Sequence, residues 1–205
     1  MTLSSGSRIA LCGAAVLALA ACDPAGDDAT RGTGPGDEAG PTSNAAAMAG
    51  NVSIPTPPDA RADDSPASYI LAAGRSDLYE IEASELAVDR SDSPAVRAFA
   101  HKMIADHTMT SQRLKEAIGQ AGLNQVPPSA LDTARKGMLT DLTNAQDDQF
   151  DAAYLSQQIA AHEDALALHS SYAEAGDQPA LRAFAAETAP KIREHLKMVR
   201  DLRTK

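Results

Sequence analysis

Three of the five histidines, His107, His162 and His195, sit near the midpoints of apolar stripes repeating at three- and four-residue spacing. Two antiparallel helices joined by a tight turn bring residues equidistant from that turn to the same level. His107 lies fifteen residues after Asp92 and is therefore level with Asp77. His162 lies fifteen residues before Asp177, and His195 eighteen after it. All three rings can converge in one layer of a helical bundle. Bundles build metal sites in this way, from imidazoles and carboxylates projecting inward from several helices. Asp77, Glu82 or Glu85 can complete the layer. A mixed imidazole and carboxylate set suits zinc, iron, copper or manganese rather than calcium.

The pattern is incomplete as a di-iron centre, because the chain contains no Glu-x-x-His. Asp106 directly precedes His107, and Glu163 directly follows His162, so neither adjacent pair shares a helix face. Asp106 is either an exposed helix residue or the orienter of a neighbouring histidine. The competing reading makes these interior histidines, paired with carboxylates or backbone groups to satisfy buried polar atoms. The sequence favours that structural reading over metal binding. His169 lies two turns from His162 on the same face and either joins the layer or neighbours it. His101 falls off the stripe and belongs at the surface. Met103, Met109, Met138 and Met198 are scattered and read as core filler. Tyr79 and Tyr154 read as packing residues whose hydroxyls reach a polar group.

Four long helices must position these groups. The first is expected over about 67–88, with a stripe of Ile70, Gly74, Asp77 or Leu78, Ile81, Glu85 and Val88. The Ser91-Asp92-Ser93-Pro94 turn closes it and opens the second, over about 94–120, with proline in the first turn. Gly122 and Pro127-Pro128 end the second. A short helix over about 129–142 follows within a longer crossover. The third long helix is expected over about 148–175. The fourth runs over about 179–202, with Pro190 inside it and a kink expected there. No stretch alternates as a strand does. Ala-rich composition and the absence of tryptophan point to an all-α domain with a small-residue core. Ser93-Pro94-Ala95-Val96-Arg97-Ala98-Phe99-Ala100 matches Gln178-Pro179-Ala180-Leu181-Arg182-Ala183-Phe184-Ala185 at an offset of 85 residues. The domain therefore reads as two stacked helical hairpins.

The N-terminus carries a different signal. Arg8 precedes an apolar and small-residue run over 9–21, too short to anchor a protein across a bilayer. That run ends in Leu19-Ala20-Ala21-Cys22, which resembles a bacterial lipobox. The resemblance implies cleavage before Cys22, lipidation of Cys22 and a membrane-anchored lipoprotein facing the periplasm. Residues 1–21 are then the signal peptide, and 22–65 a Gly-, Pro- and Asp-rich tether with no aromatic residue. Residues 66–205 form the folded domain. Cys12, the only other cysteine, lies in the removed segment, so the mature chain has no disulfide. Removing Arg8 from the 18 basic residues leaves 17 against 28 acidic, a net charge of −11. Such a chain is a poor nucleic-acid binder.

The helical segment also resembles a known family. Its matching residues are Tyr79-Glu80-Ile81-Glu82-Ala83 and Leu86-Ala87, then Val96-Arg97-Ala98-Phe99-Ala100 and Met103-Ile104-Ala105-Asp106-His107. They continue with Gln149-Phe150-Asp151-Ala152-Ala153-Tyr154, Ala161-His162, Leu181-Arg182-Ala183-Phe184-Ala185 and Pro190-Lys191-Ile192-Arg193-Glu194-His195. Over residues 67–203 the chain resembles the ferritin-like domain of unknown function found in bacterial proteins often labelled outer-membrane proteins. The resemblance implies an up-down four-helix bundle, ferritin-like in architecture, and brings no established activity. The sequence shows no nucleophile elbow, phosphate-cradling glycine loop or dinucleotide fingerprint. The reading it ranks first is a non-enzymatic envelope module, binding a protein or cell-wall component or serving a structural or stress role. Its alternative is a metal-binding or metal-dependent redox module built on the bundle-core histidines.

Overall fold

Ser65, Ser93 and Asp132 start three helices by the same device, a side-chain oxygen accepting a bond from the backbone N–H three residues on. The bonds run from Ser68 N at 3.3 Å, Val96 N at 3.4 Å and Arg135 N at 2.8 Å. In the computed structural model the described residues are 65–204. The expected signal segment, Cys22 and the tether up to residue 64 lie outside them. The helices are α1 (Pro66–Arg90), α2 (Pro94–Gln120), α3 (Thr133–Asn144), α4 (Asp147–Ala175) and α5 (Pro179–Arg203). No strand occurs among the described residues. The crossover helix starts at Thr133 rather than near 129, because Asp132 supplies its cap. The α5 helix continues through Pro190 without interruption, and that proline is exposed.

Gly122 ends α2 in the left-handed conformation, at φ +67°. Its N–H reaches Gly119 O at 3.0 Å, and Leu123 N reaches Ile118 O at 3.1 Å, closing the last turn. The chain then crosses back along the bundle through α3. Hairpin α1–α2 packs on hairpin α4–α5, with α1 against α4 and α2 against α5. The long crossover lets every adjacent pair of long helices run antiparallel. The result is an all-α, ferritin-like bundle of two helical hairpins with a short crossover helix.

Two apolar clusters fill the ends of the bundle. One gathers Tyr79, Val96, Phe99, Phe150, Tyr154 and Val199 near the α1–α2 turn. The other gathers Tyr69, Ile70, Leu114, Ile118, Leu181 and Phe184 near the α4–α5 turn. The repeated segment explains the matching hairpins. Arg97 donates to Ser91 O at 2.6 Å, and Arg182, 85 residues on, donates to Gly176 O at 2.9 Å. Each arginine ties the start of its helix to the carbonyl that closes the preceding one. Arg90 locks the α3–α4 junction. Its guanidinium donates to Leu142 O at 2.6 Å and Ala145 O at 2.7 Å while stacking 4.5 Å above Phe150.

The inward face of α1 departs from the expected stripe. Ile70, Gly74 and Asp77 are buried, but Ile81 and Val88 are half-buried and Glu85 is exposed. The buried line instead passes through Tyr79, Glu80, Ala83, Ser84 and Ala87. The α1 helix packs against α2, α3 and α4, so its buried face is wide, and small residues allow the close approach. Tyr79 and Tyr154 behave as expected. They bond Gln157 Oε1 at 2.6 Å and Ser84 Oγ at 2.9 Å from inside the core. Met103 and Met138 fill the core, whereas Met109 is exposed.

Gly74 is the closest approach of the crossover to α1. A Cβ there would stand 2.6 Å from Pro128 Cδ. Gly74→Ala is expected to push the Pro127-Pro128 segment off α1 and to lower stability by about 1–3 kcal/mol. A shift of the urea midpoint at unchanged slope checks this, and an unshifted midpoint would show that the crossover yields freely.

Candidate metal centre

Between the two apolar clusters lies a polar layer. The α2 helix brings His107 into it, α4 brings His162, and α5 brings His195, at 1 %, 0 % and 2 % exposure. Their ring centroids stand 5.7 Å (His107–His162), 5.6 Å (His107–His195) and 5.5 Å (His162–His195) apart. One nitrogen from each ring lies within 4.8 Å of the others, close enough to share one metal ion.

Each ring is fixed by a bond from its other nitrogen. His107 Nδ1 donates to Asp77 Oδ1 at 2.9 Å, the pairing that counting from the α1–α2 turn implies. His162 Nδ1 donates to the Gln158 carbonyl at 2.8 Å. His195 Nε2 donates to Asp106 Oδ2 at 2.7 Å. Carbonyls and ionised carboxylates only accept, so these bonds set the tautomers. The lone pairs of the neutral rings then fall on His107 Nε2, His162 Nε2 and His195 Nδ1. Those three nitrogens are buried and make no hydrogen bond. Histidine ligands of metals are held in this manner, with the second nitrogen donating to a carboxylate or carbonyl.

The partners are themselves anchored. Ser111 donates to Asp77 Oδ2 at 3.1 Å, and Lys102 Nζ donates to Asp106 Oδ2 at 2.9 Å. Asp106 thus serves His195 on α5 while its neighbour His107 faces α1. Of the carboxylates expected on the first helix, Asp77 is in the layer as the partner of His107. Glu82 is half-buried and Glu85 exposed, so neither joins it. The carboxylate that does is Glu80, 1 % exposed, with Oε1 3.5 Å from His162 Nδ1. The sequence hides Glu80 because large apolar residues on both sides suggest a stripe that the small residues actually form. Asp77 three residues before it is the signal that could have found it. Gln158, one turn before His162, was also not foreseen. His101 is at the surface.

Burial pushes His162 well below the usual imidazole range, and the neighbouring His107 adds to this. Burial and His107 likewise bring His195 down to about 4, against the opposing pull of Asp106. Both rings are therefore neutral ligands at neutral pH. Burial also pushes His107 down, but its bond to Asp77 and the charges of Asp77, Glu80 and Asp106 outweigh that, and its pKa is raised. Burial lifts the Glu80 carboxyl to about 7, with His107 and the Gln158 amide opposing. Asp106 ends below the usual carboxylate range; its partial burial is outweighed by Lys102 and His195.

His169 neighbours this layer without joining it. Its Nδ1 is 2.9 Å from the Tyr69 hydroxyl, and its ring stands edge-on to Phe184 at 5.8 Å.

The fold and site define a helical-bundle domain with a buried histidine cluster able to coordinate a metal. The family profile described as Domain of unknown function (DUF4142) matches residues 51–202, and the chain belongs to that family. No curated protein matches the sequence. A DUF305 fragment from Deinococcus radiodurans is similar in structure, with a TM-score of 0.59 at 14% identity, covering 73% of this chain and 98% of that one. CopM in the Cu(II)-bound form is similar at a TM-score of 0.58 and 18% identity, covering 68% of this chain and 96% of that one. These two likenesses show the shared helical fold.

Burial, followed by the charge of His107, brings the His169 pKa to about 3. Unfolding returns it to about 6.5. Between those values the unfolded chain binds the proton and the folded chain does not, so stability is lost as pH falls from 6.5 toward 3. This one group contributes a slope of up to roughly 1.4 kcal/mol per pH unit. His169→Gln is expected to be less stable at neutral pH but flatter between pH 6.5 and 4, as read from urea midpoints. Parallel pH profiles would place the acid sensitivity elsewhere.

Proposed function

We propose that this protein binds one transition-metal ion through His107 Nε2, His162 Nε2 and His195 Nδ1 and holds it in the bundle core. One observation carries the reading: three buried imidazoles each bring a nitrogen within reach of one ion, and each ring has one nitrogen bonded and the other buried and unbonded. Interior histidines kept only for packing or register have no need to aim unsatisfied lone pairs into a common space. The geometry thus reverses the order in which the sequence ranks the two functions. Burial of all three ligands suits holding an ion rather than presenting it to a large substrate.

Three neutral imidazoles suit zinc, copper, iron or nickel. Fold similarity to CopM, described in its Cu(II)-bound form, supports copper as the first ion to test. The Arg8, apolar-run and Cys22 pattern supports placing this activity in the cell envelope, on a lipid anchor facing the periplasm. No helix among the described residues is long and apolar enough to cross a membrane.

The purified protein, dialysed at neutral pH against trace copper and zinc, is expected to retain one ion per chain by elemental analysis. His107→Ala and His162→Ala are expected to lose it, with affinity reduced at least roughly 100-fold and helical circular dichroism unchanged. The ion is also expected to raise stability by about 2.7 kcal/mol at one hundred times its dissociation constant. A folded parent that retains neither metal would overturn the reading.

A further inference from the structure

Glu80 is 1 % exposed, yet neither of its carboxylate oxygens makes a hydrogen bond. Its contact with His162 Nδ1 is long, at 3.5 Å, and that nitrogen already donates to the Gln158 carbonyl at 2.8 Å. The fully buried Gln158 amide lies beside it and favours its charged form, without a hydrogen bond of normal geometry. The other two carboxylates of the layer are partnered. Asp77 accepts from His107 and Ser111, and Asp106 from His195 and Lys102. A buried carboxylate without a partner is costly, and a nearby cation offsets that cost.

We infer that Glu80 is the counter-charge of the metal centre and makes it selective for divalent over monovalent ions. The inference rests on the metal-binding reading above. Three neutral imidazoles bring no charge to an ion. Glu80 and Asp77 are buried carboxyls of the layer with no lysine or arginine bonded to them, and as carboxylates they can supply two negative charges to a doubly charged ion. Asp106 adds less, because the Lys102 ammonium already sits on it. Glu80 stands on the protonated side of the His162 ring, so it acts across the ring and through space and is not a ligand.

Coulomb energy is proportional to the charge of the ion. Removing one nearby negative charge therefore weakens a divalent ion by twice the free energy it takes from a monovalent one. In affinities, the factor lost by the divalent ion is the square of the factor lost by the monovalent ion. A merely structural role would weaken both by the same factor.

The test compares Glu80→Gln with the parent, titrating Zn(II) and Ag(I) by competition with calibrated chelators. Glutamine keeps the shape and removes the charge. The expected result is a loss of roughly 100-fold for Zn(II) and roughly 10-fold for Ag(I). Glu85→Gln, a change of the same kind on the exposed face, is expected to leave both affinities within a factor of two or so of the parent. Equal losses for the two ions, or no loss for Zn(II), would overturn the inference while leaving a histidine metal site standing. A folded parent that binds neither ion would bring down the site and this inference together.

Discussion

A helical bundle with a polar layer at its middle must satisfy that layer without water. Here the constraint is met on one side only. Asp77, the Gln158 carbonyl and Asp106 each take one nitrogen of a buried imidazole, and the opposite nitrogens of all three rings stay unbonded. The rest of the domain follows from holding that arrangement. The apolar clusters above and below clamp the layer between them. Caps at Ser65, Ser93 and Asp132 fix where three of the helices begin and hence the heights at which their inward residues meet. The arginines that close the two hairpin turns keep each hairpin in register. A slip of one residue in either hairpin would rotate a ligand about 100° away from the layer.

The electrostatics divide the three rings into two kinds. His162 and His195 are depressed by burial and by the charge of His107, so they stand neutral. His107 is the exception, because its bond to Asp77 and the carboxylates around it outweigh burial and raise it. The chain's acidic balance does not create this site, because most of the acidic residues among those described are exposed. Four carboxyl-bearing positions on or near the layer's two partner helices decide the matter: Asp77 and Glu80 from α1 are buried, Asp106 with its own lysine from α2 is half-buried, and Glu85 is out.

Much of this was legible in the sequence because helical hairpins obey simple counting. The level of Asp77 with His107 follows from their equal distance from Asp92, and the convergence of His162 and His195 follows from Asp177. Proline in the first turn marks the starts of α2 and α5 at the residues where they occur. What failed was the reading of α1 beyond Asp77. Leu78, Ile81 and Val88 are the larger apolar side chains and suggest the inward line, but they lie half-buried at the seams. Beyond Tyr79, glutamate, alanine and serine occupy the interior of α1, where it packs against three neighbouring helices. Glu80 was therefore missed, and Glu82 and Glu85 were expected in its place. Hydrophobicity ranks residues by transfer energy, whereas a crowded interface selects them by size.

The internal repeat explains why the layer exists and why its chemistry is lopsided. Both hairpins obey the same offset of 85 residues: α1 ends at Arg90 and α4 at Ala175, while α2 begins at Pro94 and α5 at Pro179. By that offset Asp77 corresponds to His162, Thr110 to His195, and His107 to Ile192. All six positions are buried. The inward-facing layer is thus a property of the hairpin, present twice, and the ligand set is a property of which residue each copy carries. One copy supplies a single imidazole with its carboxylate, and the other supplies two imidazoles. Doubling the second copy would put four rings and no acid at these positions, and doubling the first would leave two rings and two acids. The broken symmetry sets two imidazoles of one hairpin against the imidazole and buried carboxylates of the other, a combination that a small cation uses and an apolar core does not.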